Sequence, residues 1–105
     1  MEMNKYRNKK TVVDGITFDS KKEALRYNQL KIFQRAGLIK GLKLQVPFVL
    51  IDKSPHGKTI KYVADFVYEE DNKTVVEDVK GVKTPMYRLK KRLLAERYGI
   101  EIKEV

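Results

Sequence analysis

The order of predicted elements assigns this 105-residue chain to the α/β class. Residues 42–51, 60–68 and 74–79 alternate in polarity or are rich in β-branched and aromatic side chains, as strands are. Residues 20–36 and 84–98 carry helix start and stop signals and lie before and after these strands. Strands joined by tight turns, then a helical crossover into a last strand, predict a mixed four-stranded sheet flanked by helices.

The chain begins with a polar segment, residues 1–10, whose basic side chains are Lys5, Arg7, Lys9 and Lys10. This segment is interpreted as a solvated arm, with contact to nucleic-acid phosphates as the alternative. Residues 11–18 place Asp14-Gly15 between β-type residues. Asp-Gly in that setting predicts a tight type I′ turn, so we expect a small hairpin flap.

The first helix is expected to begin after Ser20 and to stop at Gly37, which are suitable N-terminal and C-terminal capping residues. One apolar row consists of Leu25, Ile32, Phe33 and Ala36, and a second row, with apolar members, consists of Glu23, Tyr27, Leu30 and Gln34. Because Glu23 shares a row with apolar residues, its side chain is expected to face inward. Glu23 also occupies the capping-box position, and that structural role alone would explain it.

Residues 42–51 alternate so that Gln45 lies on the opposite face from Leu44 and Val46, together with Pro47. Proline within a strand indicates an edge position or a bulge. The following residues, 52–59, have the composition of a loop, and His56 in that loop is expected to be merely exposed.

Thr84-Pro85 predicts the start of the second helix, and Gly99 predicts its end. Met86, Leu89, Leu93 and Leu94 are expected to be buried. Another side of this helix carries Arg88, Lys91 and Arg92. This charged side is either a solvated face or a phosphate-binding surface, and residues 100–105 are expected to close the sheet as a short strand.

The stretch 60–81 is the centre of the predicted fold. Its two β-type runs flank Glu-Glu-Asp-Asn-Lys, and a turn centred on Asp71-Asn72 places Asp65 opposite Asp78. Opposed like charges are destabilising, and a desolvated carboxylate without a partner is costly. Lys80 or a divalent metal ion would remove the repulsion; a slipped register that separates the two aspartates is the other alternative.

Composition limits the function. The chain has no cysteine, which excludes disulfides, thiol catalysis and cysteine-type zinc sites. Its formal net charge of +9 favours a polyanionic partner, although acidic membrane surfaces also attract such chains. No apolar run approaches the roughly 20 residues of a membrane-spanning helix, and no signal-peptide pattern opens the sequence. We expect a single domain over residues 1–105 and a cytoplasmic protein.

Asp65 in Tyr-Val-Ala-Asp-Phe, followed by Asp78-Val79-Lys80-Gly81, resembles the PD-(D/E)XK motif of restriction-endonuclease-like nucleases. The element order is similar to the αβββαβ core of that fold. Leu44-Gln45-Val46-Pro47-Phe48 and the segment Phe18 to Tyr27 resemble a family of small phage and prophage proteins of this superfamily, a domain of unknown function. Ala64 stands where the motif has proline.

The resemblance implies that Asp65 and Asp78 hold Mg²⁺ or Mn²⁺, with the Val79 backbone carbonyl and Glu23 as further ligands. It implies that Lys80 activates or positions the attacking water, and that Gln45 contacts the substrate. A metal ion with oxygen ligands acidifies water and neutralises charge at a scissile phosphate. The basic residues of the second helix and the N-terminal arm would then contact the nucleic-acid backbone.

The expected function is therefore that of a metal-dependent DNA endonuclease, phage-encoded, with branched DNA as a substrate suggested by analogy alone. The main alternative is a catalytically silent nucleic-acid-binding module with the same fold. A third alternative is a basic interaction protein that docks on RNA. The sequence leaves cut geometry, base specificity and oligomeric state open, a homodimer included.

Overall fold

The computed structural model describes residues 9–79 and 83–105. Its elements follow the predicted order. They are β1 (Thr11–Val13), β2 (Ile16–Phe18), α1 (Lys21–Arg35), β3 (Lys40–Ile51), β4 (Ile60–Glu70), β5 (Lys73–Asp78), α2 (Pro85–Tyr98) and β6 (Ile102–Glu104). Strands β1 and β2 form the separate N-terminal hairpin around Asp14-Gly15, where both residues have positive φ angles.

The main sheet has the strand order β3-β4-β5-β6. Strands β3, β4 and β5 are antiparallel neighbours, whereas β6 runs parallel to β5 after the crossover through α2. The prediction of a mixed four-stranded sheet with flanking helices and a small N-terminal hairpin is thus confirmed. Pro47 lies in β3, an edge strand, where a missing backbone N–H is tolerated.

Helix α1 begins as its sequence indicates, because the Ser20 hydroxyl accepts a hydrogen bond from the Glu23 N–H at 3.1 Å. Its buried residues are Glu23, Ala24, Tyr27 and Leu30. The inward position predicted for Glu23 is confirmed. Leu25 and Ile32 of the other row are instead 54% and 59% exposed, so the row that contains Glu23 is the one that packs on the sheet.

Helix α2 is capped by Thr84 and by Gly99, which adopts the left-handed conformation that glycine favours. The prediction that Met86 and Leu89 are buried is wrong, since both are more than half exposed. Tyr87 and Leu94 are the buried residues. The sheet accepts the side of α2 that carries the tyrosine ring, which fills more volume than Met86 would.

The buried residues of β4 change their partner helix at Asp65. Phe66 and Tyr68 belong to the cluster that contains α1 residues, whereas Tyr62 and Ala64 belong to the cluster that contains Tyr87 and Leu94 of α2. Residues two apart on a strand share one face, so the two clusters follow each other along the same face of β4. Asp65 therefore lies where the two halves of the core meet.

Among the residues that the structure describes, no helix combines the length and the apolar character needed to cross a membrane.

Candidate metal and nucleic-acid site

The β4–β5 hairpin brings the two predicted metal-binding aspartates together. Its turn residues Asp71 and Asn72 have φ angles of 53° and 63°, as a type I′ turn requires. Paired residues run from Glu70–Lys73 back to Phe66–Glu77, so Asp65 and Asp78 come next in the same register. The predicted register is confirmed, and the slipped alternative is excluded.

The electrostatic consequence of this register is concentrated on Asp65. Burial raises the pKa of the Asp65 carboxyl to about 7, against an opposing contribution from a backbone hydrogen bond. A hydrogen bond and the charge of Asp78 raise the same pKa further, as does the charge of Glu23. Without a cation, Asp65 therefore keeps its proton up to about pH 7, whereas an exposed aspartate is already ionised well below that pH.

Asp78 is more deeply buried than Asp65, with 2% of its surface exposed. Its Oδ2 atom accepts a hydrogen bond of 2.5 Å from the Tyr62 hydroxyl. Burial, followed by this bond, raises the pKa of Tyr62, so the phenol keeps its proton and remains a donor. Tyr62 thus fixes the orientation of the Asp78 carboxylate, a role that the sequence did not indicate.

Two further residues hold Asp65. The Val79 backbone N–H donates a hydrogen bond to its Oδ2 atom at 2.8 Å, and the Gln45 amide lies 3.5 Å from its Oδ1 atom. Gln45 has a φ of 52°, a conformation that residues other than glycine rarely adopt within a strand. Backbone strain of this kind concentrates at functional sites. The register of the two strands places Gln45 of β3 opposite Asp65 of β4.

Glu23 belongs to the same site by electrostatics. Its side chain is 8% exposed on α1, and its charge is one of the causes that raise the pKa of Asp65. Like charges that come close in a partly desolvated region favour protonation or the binding of a cation. The predicted association of Glu23 with the site is therefore supported by the effect of its charge on Asp65, beyond its capping role.

Glu77, beside Asp78 in β5, has a structural role that sequence reasoning missed. Its fully buried carboxylate receives two hydrogen bonds from the Arg26 guanidinium, at 2.8 and 2.6 Å, and one from the Tyr68 hydroxyl. Burial opposes ionisation of Glu77, but these donors outweigh it and lower its pKa. The ion pair joins α1 to β5 next to Glu23 and Asp78. No short-range sequence signal connects residues 26 and 77.

Glu104 modifies the predicted basic face of α2. Its carboxylate accepts a hydrogen bond from the Tyr87 hydroxyl at 2.7 Å and forms ion pairs with Lys83 and Lys91. The Tyr87 bond, then those from the lysines, lowers the pKa of Glu104 to about 2. Part of the charge of Lys91 is therefore balanced within the protein.

Arg88 and Arg92 are exposed on α2 and line a cavity of about 220 Å³ together with Lys91, Ile100 and Glu101. Lys9 and Lys10 are exposed near the hairpin flap, and Lys10 lies 3.6 Å from Asp19. Three residues predicted to act in catalysis or binding lie outside the described residues. They are Lys5, Arg7 and Lys80.

The donor set at this site consists of carboxylate oxygens, which Mg²⁺ and Mn²⁺ prefer. Asp65 and Asp78 fit a hard cation because its charge would relieve the repulsion that raises the pKa of Asp65. Within residues 9–79 and 83–105, no three acidic, histidine or cysteine side chains gather into one coordination shell. A cation held here would take its remaining ligands from water, backbone or substrate oxygens.

The fold and site define an α/β protein with a mixed sheet and, at the base of its central hairpin, an opposed pair of aspartates of which Asp78 is buried and Asp65 partly buried. The chain belongs to the family described as a protein of unknown function, DUF1064, whose family model matches residues 3–104. No curated protein and no solved structure matches the chain.

Proposed function

We propose that this protein is a metal-dependent DNA endonuclease of the PD-(D/E)XK restriction-endonuclease-like superfamily, encoded by a phage or prophage. The observation that carries the proposal is the opposed pair Asp65 and Asp78 in the hairpin register, together with the charge of Glu23, which contributes to the raised pKa of Asp65. Such a pair is costly in a protein that does not use it. The αβββαβ element order and the net charge of +9 support the same proposal.

Asp65 and Asp78 would hold the metal ion, with Glu23 and the Val79 carbonyl as additional ligands. Mg²⁺ or Mn²⁺, when bound, lowers the pKa of a coordinated water and neutralises charge on the scissile phosphate. Tyr62 keeps Asp78 oriented, and the Val79 N–H keeps Asp65 oriented. Gln45 lies beside Asp65 with its amide available to a substrate oxygen. Lys80 would supply positive charge at the phosphate.

The substrate backbone would be held by exposed arginines of α2. Arg88 and Arg92 are one helical turn apart, and the cavity beside them accommodates a phosphate group. Lys91 contributes less, because it is already paired with Glu104 at 3.3 Å. Replacing Arg88 and Arg92 is therefore expected to weaken DNA binding more than replacing Lys91 does.

The test compares linear and branched DNA duplexes incubated with the protein and Mn²⁺, with and without EDTA. Asp65→Asn should abolish the heat of Mn²⁺ binding in calorimetry and lower the cleavage rate by at least about 100-fold. Asp71→Asn is the matched control, because it removes one acid from the turn of the same hairpin at a left-handed position that asparagine tolerates.

Wild-type metal affinity in Asp65→Asn would refute the assignment of the site. DNA binding without metal-dependent cleavage on any of these substrates would identify the silent nucleic-acid-binding module instead.

A further inference from the structure

Strands β3 and β4 continue beyond the packed core as a two-stranded ribbon. The last paired residues are Ile51 and Ile60, and an isolated bridge joins Ser54 to Gly57 beyond them. Two backbone hydrogen bonds, of 2.9 and 3.2 Å, close this bridge. Every residue from 51 to 60 is exposed. The segment 52–59, called here the lysine tip, is thus a built turn that projects into solvent.

The ribbon is anchored at its base by the end of α2. The Tyr98 hydroxyl donates to the Val49 carbonyl at 2.7 Å, and the Arg97 guanidinium donates to the Leu50 carbonyl at 3.2 Å. These carbonyls belong to β3, and within residues 9–79 and 83–105 no further strand pairs with its outer edge. The contacts hold the ribbon in one direction, so a partner would meet a preorganised surface.

The lysine tip concentrates positive charge without internal compensation. The pairs Ile51–Ile60 and Ser54–Gly57 flank Lys53 and Lys58, so these two lysines lie on facing segments of the ribbon, between the two pairs. Opposed like charges are destabilising, as at Asp65 and Asp78. Among the described residues neither lysine has an ion pair, and the adjacent Asp52 faces Arg97 at 3.5 Å. An external anion would remove the repulsion.

The opposite end of β4 has the reverse charge. Glu69, Glu70 and Asp71 lie at the β4–β5 turn, whereas Lys58 and Lys61 lie at the tip end. This polarity favours a polyanion that contacts the tip and not the turn. Two exposed isoleucines at the base of the ribbon, Ile51 and Ile60, add apolar surface beside the lysines.

We propose that the lysine tip enters the major groove of duplex DNA and holds the substrate beyond the cleavage site. This inference rests on the proposed function for the identity of the nucleic acid. The major groove of B-DNA admits a two-stranded β-ribbon, whereas that of A-form RNA is too narrow. Lys53 and Lys58 contact phosphates across the groove, and Ile51 and Ile60 meet the sugar or thymine-methyl surface.

The spacing fits this arrangement. Lys58 precedes Asp65 by seven residues, which at ~3.3 Å per strand residue corresponds to at most roughly 23 Å. DNA rises ~3.4 Å per nucleotide, so the tip reaches about seven nucleotides from the phosphate bound at Asp65. About two-thirds of a turn of duplex, which has ~10 base pairs per turn, therefore separates the two contacts.

The experiment measures binding of the full chain to DNA and RNA duplexes of about 20 base pairs and matched sequence, in EDTA, over a range of salt. Lys53→Gln/Lys58→Gln should weaken DNA binding about 10-fold near ~0.15 M salt and lower the salt slope by about two units. The control, Lys40→Gln/Lys73→Gln, removes the same charge from the acidic end of the strands and should leave both quantities nearly unchanged. RNA binding should be weak and insensitive to the tip variant.

The inference is overturned if the tip variant binds DNA as the wild type does, or if the control variant loses as much DNA affinity as the tip variant. It is also overturned if the tip variant loses as much affinity for RNA as for DNA. Cleavage in Mn²⁺ is measured separately, so that the test of the lysine tip and the test of nuclease activity give independent answers. A protein that cleaves DNA but has a dispensable tip refutes only the tip. A protein that binds through the tip but does not cleave refutes only the nuclease.

Discussion

Two pairs of like charges lie on facing hairpin segments in this protein, at different depths. Asp65 and Asp78 are held beside the core, where burial, and then the neighbouring carboxylate, raises the pKa of Asp65 to about 7. Lys53 and Lys58 lie in a fully exposed turn, where water and salt screen their repulsion. Repulsion between like charges therefore favours protonation at the aspartates but has little effect at the lysines. The repulsion energy is larger where the surroundings have a lower dielectric constant.

The difference indicates which ligands the two regions suit. A partly buried pair of carboxylates can exchange one proton for a compact cation that fits between them. An exposed pair of lysines suits a large, extended anion whose charges are spread over several ångströms. Burial thus separates a candidate catalytic centre from a candidate docking surface within one continuous pair of hairpins.

The largest stability effect is expected where a buried charge is paired. Arg26→Met keeps the apolar stem of the side chain but leaves the fully buried Glu77 without its guanidinium. We expect a loss of about 3 kcal/mol in the free energy of unfolding, measured by urea denaturation. The control is Lys31→Met, on the same helix as Arg26, which breaks the more exposed ion pair with Asp14 of the hairpin turn and should lose much less. Equal losses in the two variants would show that the burial of these ion pairs does not determine their contribution to the free energy of unfolding.

A smaller effect of opposite sign is expected at the partly buried carboxylate of Asp65. Asp65→Asn in EDTA should raise stability at pH 8, since it removes a desolvated carboxylate that faces Asp78. Because Asp65 remains partly exposed and solvent screens the repulsion, we expect a gain of about 1 kcal/mol.

The pH dependence of this gain follows from the raised pKa. Between about pH 4 and pH 7 the folded wild type retains a proton on Asp65 that the unfolded chain has released, so wild-type stability falls as pH rises. The difference between variant and wild type should therefore be near zero below pH 4 and should be complete above pH 7. A difference that is constant with pH would contradict the assignment of the raised pKa to Asp65.

Glu23→Gln tests whether a third acidic side chain belongs to the proposed metal site. Glutamine can make the capping-box hydrogen bond to the Ser20 backbone, so the melting temperature should stay within about 2 °C of wild type. The metal site would lose a charge, and cleavage should fall at least about 10-fold. A fully active Glu23→Gln protein would restrict Glu23 to its capping role. Glu96→Gln, an exposed position on α2, is the control for charge removal.

The smallest stability effect is expected at the exposed pair. Lys58→Glu converts the opposed lysines into an attractive pair and should raise the melting temperature by about 1–2 °C at low salt, as followed by circular dichroism. The gain should vanish in about 1 M salt, where the Debye length falls to ~3 Å. The same variant should bind DNA more weakly than Lys58→Gln. A melting temperature that falls would show that the lysines do not lie opposite each other.

Local signals in the sequence predicted much of the fold. Asp14-Gly15 and Asp71-Asn72 define their turns because short polar residues and glycine adopt positive φ at low cost, and a two-residue turn then fixes the hairpin register. Ser20 and Thr84 define where the helices begin, because a hydroxyl must bind an unpaired N–H there. The opposed aspartates therefore followed from sequence alone.

The sides on which the helices pack were decided only by tertiary structure. Each helix offers more than one apolar row, and the sheet accepts the row that contains Tyr27 in α1 and the side that contains Tyr87 in α2. The contacts of Arg26 with Glu77 and of Tyr62 with Asp78 join residues 51 and 16 positions apart. Their partners depend on strand twist and helix placement, which no short-range propensity contains, because such contacts form only when the whole core is packed.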